Sequence, residues 1–300
     1  MRVKKLLAGI SFLLFFTSHT CADGFDQRQT ENSSQKQAGI FANRRTEGTF
    51  YERTEGALSG LARGISYIAI IIDDIGYSYS RGLQAANLPA SLTYSILPYS
   101  THARRLADIV HQSGKEVMVH LPMENLGDKS MGPGVLTNVL SRAEFKYRIR
   151  RSVSNVPHAT GINNHMGSAL TQERLPMEWL MAEIRDLDFF FVDSRTTPKT
   201  VAFDVATRTN LLTASRDIFL DNDTSLYEID AQFRKLIVLA KSKGTAIAIG
   251  HPYPETLRYL ELALPQLEDE GIRIIPASNL VALRQIINPQ SVARAMTGAE

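Results

Sequence analysis

The stretch YIAIIIDDIG, Tyr67–Gly76, is a continuous apolar run that ends in two adjacent carboxylates and a glycine. Apolar residues at every position, rather than at every second one, suit a strand covered on both faces, as in a parallel sheet. The acids then stand at its carboxyl end, where α/β folds keep their chemistry. Neighbouring carboxylates repel unless a cation or a shared proton relieves them, so the rest of the chain has to be read for a cation site.

Outward from this run the chain alternates. Strand-like segments are expected at 67–74, 91–97, 116–121, 160–165, 189–193, 211–220, 246–251 and 272–276. Helical segments fall between them at about 101–113, 141–155, 173–186, 199–208, 226–243 and 255–270. Strands alternating with helices argue for one α/β domain on a parallel sheet. Seven or eight strand–helix units over residues 66–282 match a (β/α) barrel better than a doubly wound open sheet.

The strand ends carry the chemistry. Asp73 and Asp74 end the first run, His120 ends EVMVH, Asn163, Asn164 and His165 end GINNH, Asp193 and Arg195 end FFFVDSR, and His251 ends AIAIGH. Arg216, Asp217 and Asp221 lie in or just after LLTASRDIFLD. In a parallel barrel these ends share one rim. Imidazoles with a carboxylate suit a catalytic divalent metal, zinc foremost, and the ligand set expected is Asp74, His120 and His165. His102 and His111 fall on a helix and read as surface residues, and His158 precedes a strand and reads as belonging to the opposite face. GDKSMGPG, 127–134, lacks the Lys-Ser/Thr order of a phosphate loop and fits a long loop over the rim.

Five segments in order, IAIIIDDIG, VMVHLPME, GINNHMGS, FFFVDSRT and AIAIGHPYPET, resemble the divergent polysaccharide deacetylases, the YibQ-like branch of the carbohydrate deacetylases. The resemblance covers about residues 66–282. It implies a distorted (β/α) barrel with one divalent metal that hydrolyses N- or O-acetyl groups of a polysaccharide or peptidoglycan-type glycan. It further implies that Asp73 is the catalytic base, that Asp74 is a ligand, and that His251, in Ile249-Gly250-His251, is the helper acid. Asn164, Asp193, Arg195 and Arg216 are expected around the site, Asp193 to hold a histidine in one tautomer and an arginine to orient acidic groups or steady an oxyanion. The wider group draws two metal histidines from one short segment, whereas HLPMEN offers only His120, and the second must come from His165.

Two other classes remain open on the sequence: a noncatalytic envelope protein on the same fold, and a metal-free glycosidase using Asp73 and Asp193. The 33 basic and 31 acidic residues are spread along the chain without a basic run, which excludes nucleic acid as the expected partner. No Gly-x-Ser-x-Gly elbow is present. MRVKK followed by LLAGISFLLFFTS and TCA reads as a signal peptide over 1–22 with cleavage after Ala22, which places the mature protein in the periplasm, with membrane contact only through an uncleaved signal. Cys21, the sole cysteine, would leave with it. Residues 23–65 read as a flexible polar arm and 283–300 as a tail.

Overall fold

The computed structural model describes residues 54–127 and 130–287. The signal-like segment and most of the arm lie outside these residues. Nine strands, all parallel, are recorded: β1 Ser66–Ile75, β2 Thr93–Ile96, β3 Glu116–Met123, β4 Ala159–Met166, β5 Phe190–Asp193, β6 Thr213–Ser215, β7 Ile218–Phe219, β8 Thr245–Gly250 and β9 Ile272–Ile274. The pairing order is β6-β5-β4-β3-β2-β1-β8-β7. The sheet is a distorted (β/α) barrel, as the alternation of the sequence indicates.

The distortion lies in the single run 211–220. Its first half pairs with β5, through Phe191–Thr213 to Asp193–Ser215, and its second half pairs with β8, through Ile218–Ala248 and Phe219–Ile249. The expected strand is therefore two short ones with no helix between them. Arg284 fills the seam: its guanidinium donates to Thr245 Oγ1 at 3.1 Å, to the Ser215 and Thr245 carbonyls, and to Asp217. A second irregularity is β9, which takes the edge of β1 at Ser66–Ile68 before β2 takes that edge at Ile71. The opposite edge of β1 is occupied by β8 along Tyr67–Ile72.

Helices α2 Tyr79–Ala86, α3 Ala103–Gln112, α4 Arg142–Asn155, α5 Arg174–Asp186, α6 Ala202–Arg208, α7 Leu226–Lys243, α8 Pro254–Ala263 and α9 Ala277–Ile287 follow the strands, preceded by α1 over 54–62. Ser141 and Ser225 cap α4 and α7 by accepting from the N–H groups of Glu144 and Glu228, and α7 stops at Gly244 with φ 81°. α2 was not expected, because Gly82 interrupts its pattern. A Cβ there would lie 2.5 Å from Leu106, so the glycine lets α2 pack onto α3. Within the segment read as a polar arm, α1 buries Ala57 against the barrel interior. The barrel domain also continues past 282, since Leu283 of α9 is buried and Arg284 holds the seam. No helix among the described residues is long and apolar enough to cross a membrane.

Side chains alternate across the strands, except at the carboxyl end of β1. Tyr67, Ala69 and Ile71 of β1, Met118 of β3, Phe190 and Val192 of β5, and Ile247 and Ile249 of β8 form the barrel interior, plugged by α9. Ile68, Ile70, Ile72, Val117, Val119, Ile162 and Phe191 face the helices. Continued by two residues, the inward row reaches Asp73, His120 and His251, and on β4 it runs through Gly161, Asn163 and His165.

Candidate metal centre

Asp74 Oδ1, His120 Nε2 and His165 Nδ1 form a nearly equilateral triangle. The carboxylate oxygen is 3.2 Å from the His120 nitrogen and 3.0 Å from the His165 nitrogen, and the two nitrogens are 3.1 Å apart. β3 and β4 pair with His120 opposite Asn163 and Pro122 opposite His165, which sets the two imidazoles on neighbouring strands. Asp74 should point outward by alternation. Instead its φ is 56°, and the β1–β2 register slips between Ile72–Tyr94 and Ile75–Ile96. β1 thus carries an extra residue, a bulge, and the bulge turns Asp74 to the same side as Asp73.

Asp73 is 1% exposed and its Oδ1 accepts from Asn163 Nδ2 at 2.8 Å. Burial pushes its carboxyl above the ordinary value, opposed only in part by His120, His251 and the Asn163 amide. For Asp74 burial acts in the same upward sense, but the imidazoles of His120 and His165 outweigh it and hold the carboxyl well below the usual range. The His251 imidazole donates or accepts through Nδ1 at 2.8 Å from Asp221 Oδ1, and its Nε2 lies 3.9 Å from Asp74 Oδ2. Burial alone would lower the His251 pKa. The hydrogen bond and charge of Asp221 push it up to about 9, leaving Nδ1–H donating to Asp221. Asp221 is fixed in turn by the His251 N–H at 2.6 Å and Thr256 Oγ1 at 2.9 Å. Phe219 stacks on the other side of His251, and Arg216 lies 4.1 Å over the Phe219 ring.

Asn163, absent from the expected set, orders the centre. Its Oδ1 accepts from Ser95 Oγ at 2.6 Å and stands 2.7 Å from His120 Nδ1, while its Nδ2 donates to Asp73. The amide has one orientation that satisfies all three partners, since a flip would aim its oxygen at the Asp73 carboxylate. In the neutral ring, the form that can ligate a metal, His120 Nδ1 therefore carries the proton and Nε2 is the lone pair that faces Asp74 and His165. Asp74 Oδ1 meanwhile is a buried oxygen without a well-aligned hydrogen-bond donor, despite two nitrogens at contact distance. An acceptor oxygen and imidazole lone pairs aimed at a common point fit a cation. Zinc bonds of roughly 2.0–2.2 Å span tetrahedral edges of about 3.3–3.6 Å, a slight expansion of this triangle.

Asp73, Asp74, His120, His165 and His251 thus converge, whereas three of the surrounding residues expected here do not take the roles expected. Asn164 faces outward: its Oδ1 accepts from the Ser194 N–H at 2.9 Å and its Nδ2 donates to the Met166 carbonyl at 2.8 Å, a tie between the β4 and β5 ends. Asp193 also faces away. It accepts from the Arg195 backbone N–H and Thr200 Oγ1, and it holds no histidine. Arg195 donates only its backbone N–H to Asp193 as a hydrogen bond, and its guanidinium makes no ion pair within contact distance among the described residues. Arg216 reaches the site indirectly, through Phe219, with its guanidinium donating to the Ser194 and Arg195 carbonyls. Asp193 and Arg195 line a separate cavity of 530 Å³ beside the seam, which leaves the Asp73–Asp193 glycosidase pair without a shared cleft. His158 lies at the amino end of β4, hydrogen-bonded to Asp108 and stacked on His111, remote from the rim.

Two clefts meet at Asp74. One, of 210 Å³, is lined by Tyr77, Pro98, Tyr99, Met131, Pro133 and His165. The other, of 130 Å³, is lined by Gly76, Tyr77, Ser78, Arg81, His251 and Tyr253. Residues 70–281 match the family described as divergent polysaccharide deacetylase. The chain belongs to that family. It is 37% identical over 219 residues to the uncharacterized protein YibQ of Escherichia coli K12, across 73% of this chain and 68% of that protein. The fold matches the uncharacterized protein ATU2773 of Agrobacterium tumefaciens with a TM-score of 0.70 at 21% identity, over 72% of this chain and 89% of that one. It also matches a mutant of a CE4 family pseudoenzyme with restored enzymatic activity, from Bacillus anthracis, with a TM-score of 0.50 at 11% identity, over 72% and 68% of the two chains. This member of the divergent polysaccharide deacetylase family therefore shares its barrel fold with a CE4 family protein, and its three candidate ligands come from β1, β3 and β4, of which only β3 and β4 are neighbours, β2 lying between β1 and β3.

Proposed function

We propose that the protein is a metal-dependent hydrolase that removes acetyl groups from a polysaccharide or cell-wall glycan of the envelope. The observation that carries this reading is the triangle of Asp74, His120 and His165 beside a buried, proton-seeking Asp73 and an Asp221-held His251. A divalent ion, zinc by the chemistry of one carboxylate and two imidazoles, supplies a Lewis acid that polarises the acetyl carbonyl and acidifies water. Asp73 takes the proton as water oxygen bonds to the carbonyl carbon, and its raised pKa suits it to that work. His251 gives a proton to the departing nitrogen or oxygen as the C–N or C–O bond breaks, which releases acetate. Asn163 keeps Asp73 and His120 in register throughout. Tyr77, which lines both clefts, offers a ring face to a sugar.

The signal-like start supports an exported, periplasmic protein, and N-terminal sequencing of the mature chain from cell fractions checks it against the expected start at Asp23. The deciding experiment measures metal content of the purified chain and acetate release from acetylated glycan fragments with and without added zinc. Stoichiometric zinc with acetate release supports the hydrolase. Stoichiometric zinc with no release from any fragment supports a noncatalytic envelope protein on this fold, and no bound metal refutes both the ligand set and the mechanism.

A further inference from the structure

The two clefts beside Asp74 differ in charge. Around the 210 Å³ cleft the lining is aromatic and apolar apart from Asp74, Ser130 and His165. The 130 Å³ cleft contains Arg81 on the first turns of α2, opposite His251 and Tyr253. No carboxylate other than Asp74 lines either cleft. Arg81 is exposed at the cleft and, like several other arginines among the described residues, takes part in no ion pair. The first turn of α2 holds no acidic residue either. With Asp74 engaged at the metal triangle, the cleft on the His251 side presents an uncompensated planar cation toward whatever leaves the acetyl group.

We propose that the substrate is an acidic glycan whose leaving-group side carries an oxyanion, a carboxylate or a phosphate, and that Arg81 is the specificity residue that reads it. This rests on the hydrolase reading above, because His251 places the leaving sugar in the Arg81 cleft. A guanidinium fork grips a planar or tetrahedral oxyanion through two parallel N–H bonds, and Tyr77 and Tyr253 line the same cleft. Neutral sugars would fill the same cleft and leave the cation without a partner.

The test compares three acetylated tetrasaccharide probes: a neutral N-acetylglucosamine tetramer, a tetramer alternating N-acetylglucosamine with glucuronic acid, and a neutral tetramer phosphorylated at one 6-hydroxyl. With zinc-loaded protein, wild type is expected to favour an acidic probe over the neutral one in kcat/KM, and Arg81→Gln is expected to reduce that ratio about 10-fold. Arg81→Lys keeps the charge but loses the fork and should fall between them. Preference for the glucuronate or for the phosphate probe identifies the source of the oxyanion. Calorimetric binding of the same probes, at low and high salt, reads Arg81 without turnover: tighter, salt-sensitive binding of an acidic probe that disappears in Arg81→Gln supports the proposal. Failure of hydrolysis with that binding pattern intact refutes the hydrolase reading and leaves Arg81 standing. Equal binding of neutral and acidic probes, or an acidic preference unchanged in Arg81→Gln, overturns the proposal.

Discussion

Replacing Asn163 by leucine removes three interactions at once from a buried centre: the hydroxyl of Ser95, the Nδ1–H of His120 and the Oδ1 of Asp73 each lose their partner. Neutral hydrogen bonds of this kind contribute about 1 kcal/mol each and one to a charged acceptor about 1.5–3 kcal/mol, so Asn163→Leu is expected to destabilise the metal-free protein by about 3–5 kcal/mol. The larger consequence is chemical. Without the Oδ1 acceptor the proton on His120 moves freely between the two ring nitrogens, and the lone pair facing Asp74 and His165 is no longer guaranteed. Loss of such a supporting group weakens metal binding by about 10- to 100-fold. Zinc affinity from competition with a chromophoric chelator, alongside urea unfolding of the metal-free chain, measures both effects. Asn164→Leu is the matched control, because it breaks two bonds next door, to Ser194 and Met166, and touches no ligand. Its stability should fall while its zinc affinity stays within about threefold of wild type, a surrounding group that orients no ligand having little hold on the ion. Zinc affinity within twofold of wild type in Asn163→Leu, or equal losses in both variants, would refute the assignment of the His120 tautomer to Asn163.

Asp73→Asn should keep zinc binding and lower acetate release by about 10²–10⁴-fold, since a carboxamide of the same size cannot take a proton; Asp74→Asn should lose both, and retention of zinc by Asp74→Asn would contradict the ligand set. Arg284→Met keeps the side-chain stem but opens the seam between β6 and β8 and leaves Asp217 without its ion-pair partner, with only the Ile247 N–H to accept from, so a loss of about 2–4 kcal/mol in urea unfolding is expected, and a loss below about 0.5 kcal/mol would show that the seam closes without it. Half-buried Glu116, whose Oε2 accepts from Thr93 Oγ1 and the Ser278 N–H, has its carboxyl raised by burial. Its contribution to stability is therefore complete below the unfolded carboxyl pKa and is lost as pH rises through the folded one, so the stability difference should move in favour of Glu116→Gln as pH rises above the unfolded carboxyl pKa; a pH-independent difference in melting temperature would contradict it.

The fold was legible because its signals are periodic and local. Eight apolar runs separated by helical patterns define a parallel α/β barrel, and Asp73, His120, His165 and His251 each end one of them. Alternation alone would have chosen correctly between the neighbours Asn163 and Asn164, since Asn163 has the parity of His165 and Asn164 that of outward-facing Ile162. It would also have set Asp193 apart, as the partner in parity of Phe191. Three features leave no such trace. The split of 211–220 between two neighbours is decided by the closure of the barrel, not by any residue in the run. The pairing of Asp221 with His251 joins positions that only the β7–β8 register brings together. α2 hides behind Gly82, whose lack of a side chain is dictated by Leu106 of another helix.

Adjacent acids at a strand end would face opposite ways in a regular strand, one inward and one toward the helices. Here the bulge at Ile72–Ile75 and the left-handed backbone of Asp74 defeat that alternation. A non-glycine residue in this conformation costs about 1–2 kcal/mol, and aspartate is among the residues that tolerate it best. Gly76, at φ 137°, completes the turn where a Cβ would overlap Ser100 Oγ. The two carboxylates consequently share one pocket with unlike surroundings. Asp73 stays deep, held by an amide and kept basic by burial, while Asp74 stands at the mouth between two imidazoles. Two identical side chains one residue apart acquire different proton affinities from the surroundings into which the bulged backbone turns them, and the proposed hydrolase, with a base beside a ligand, requires that difference.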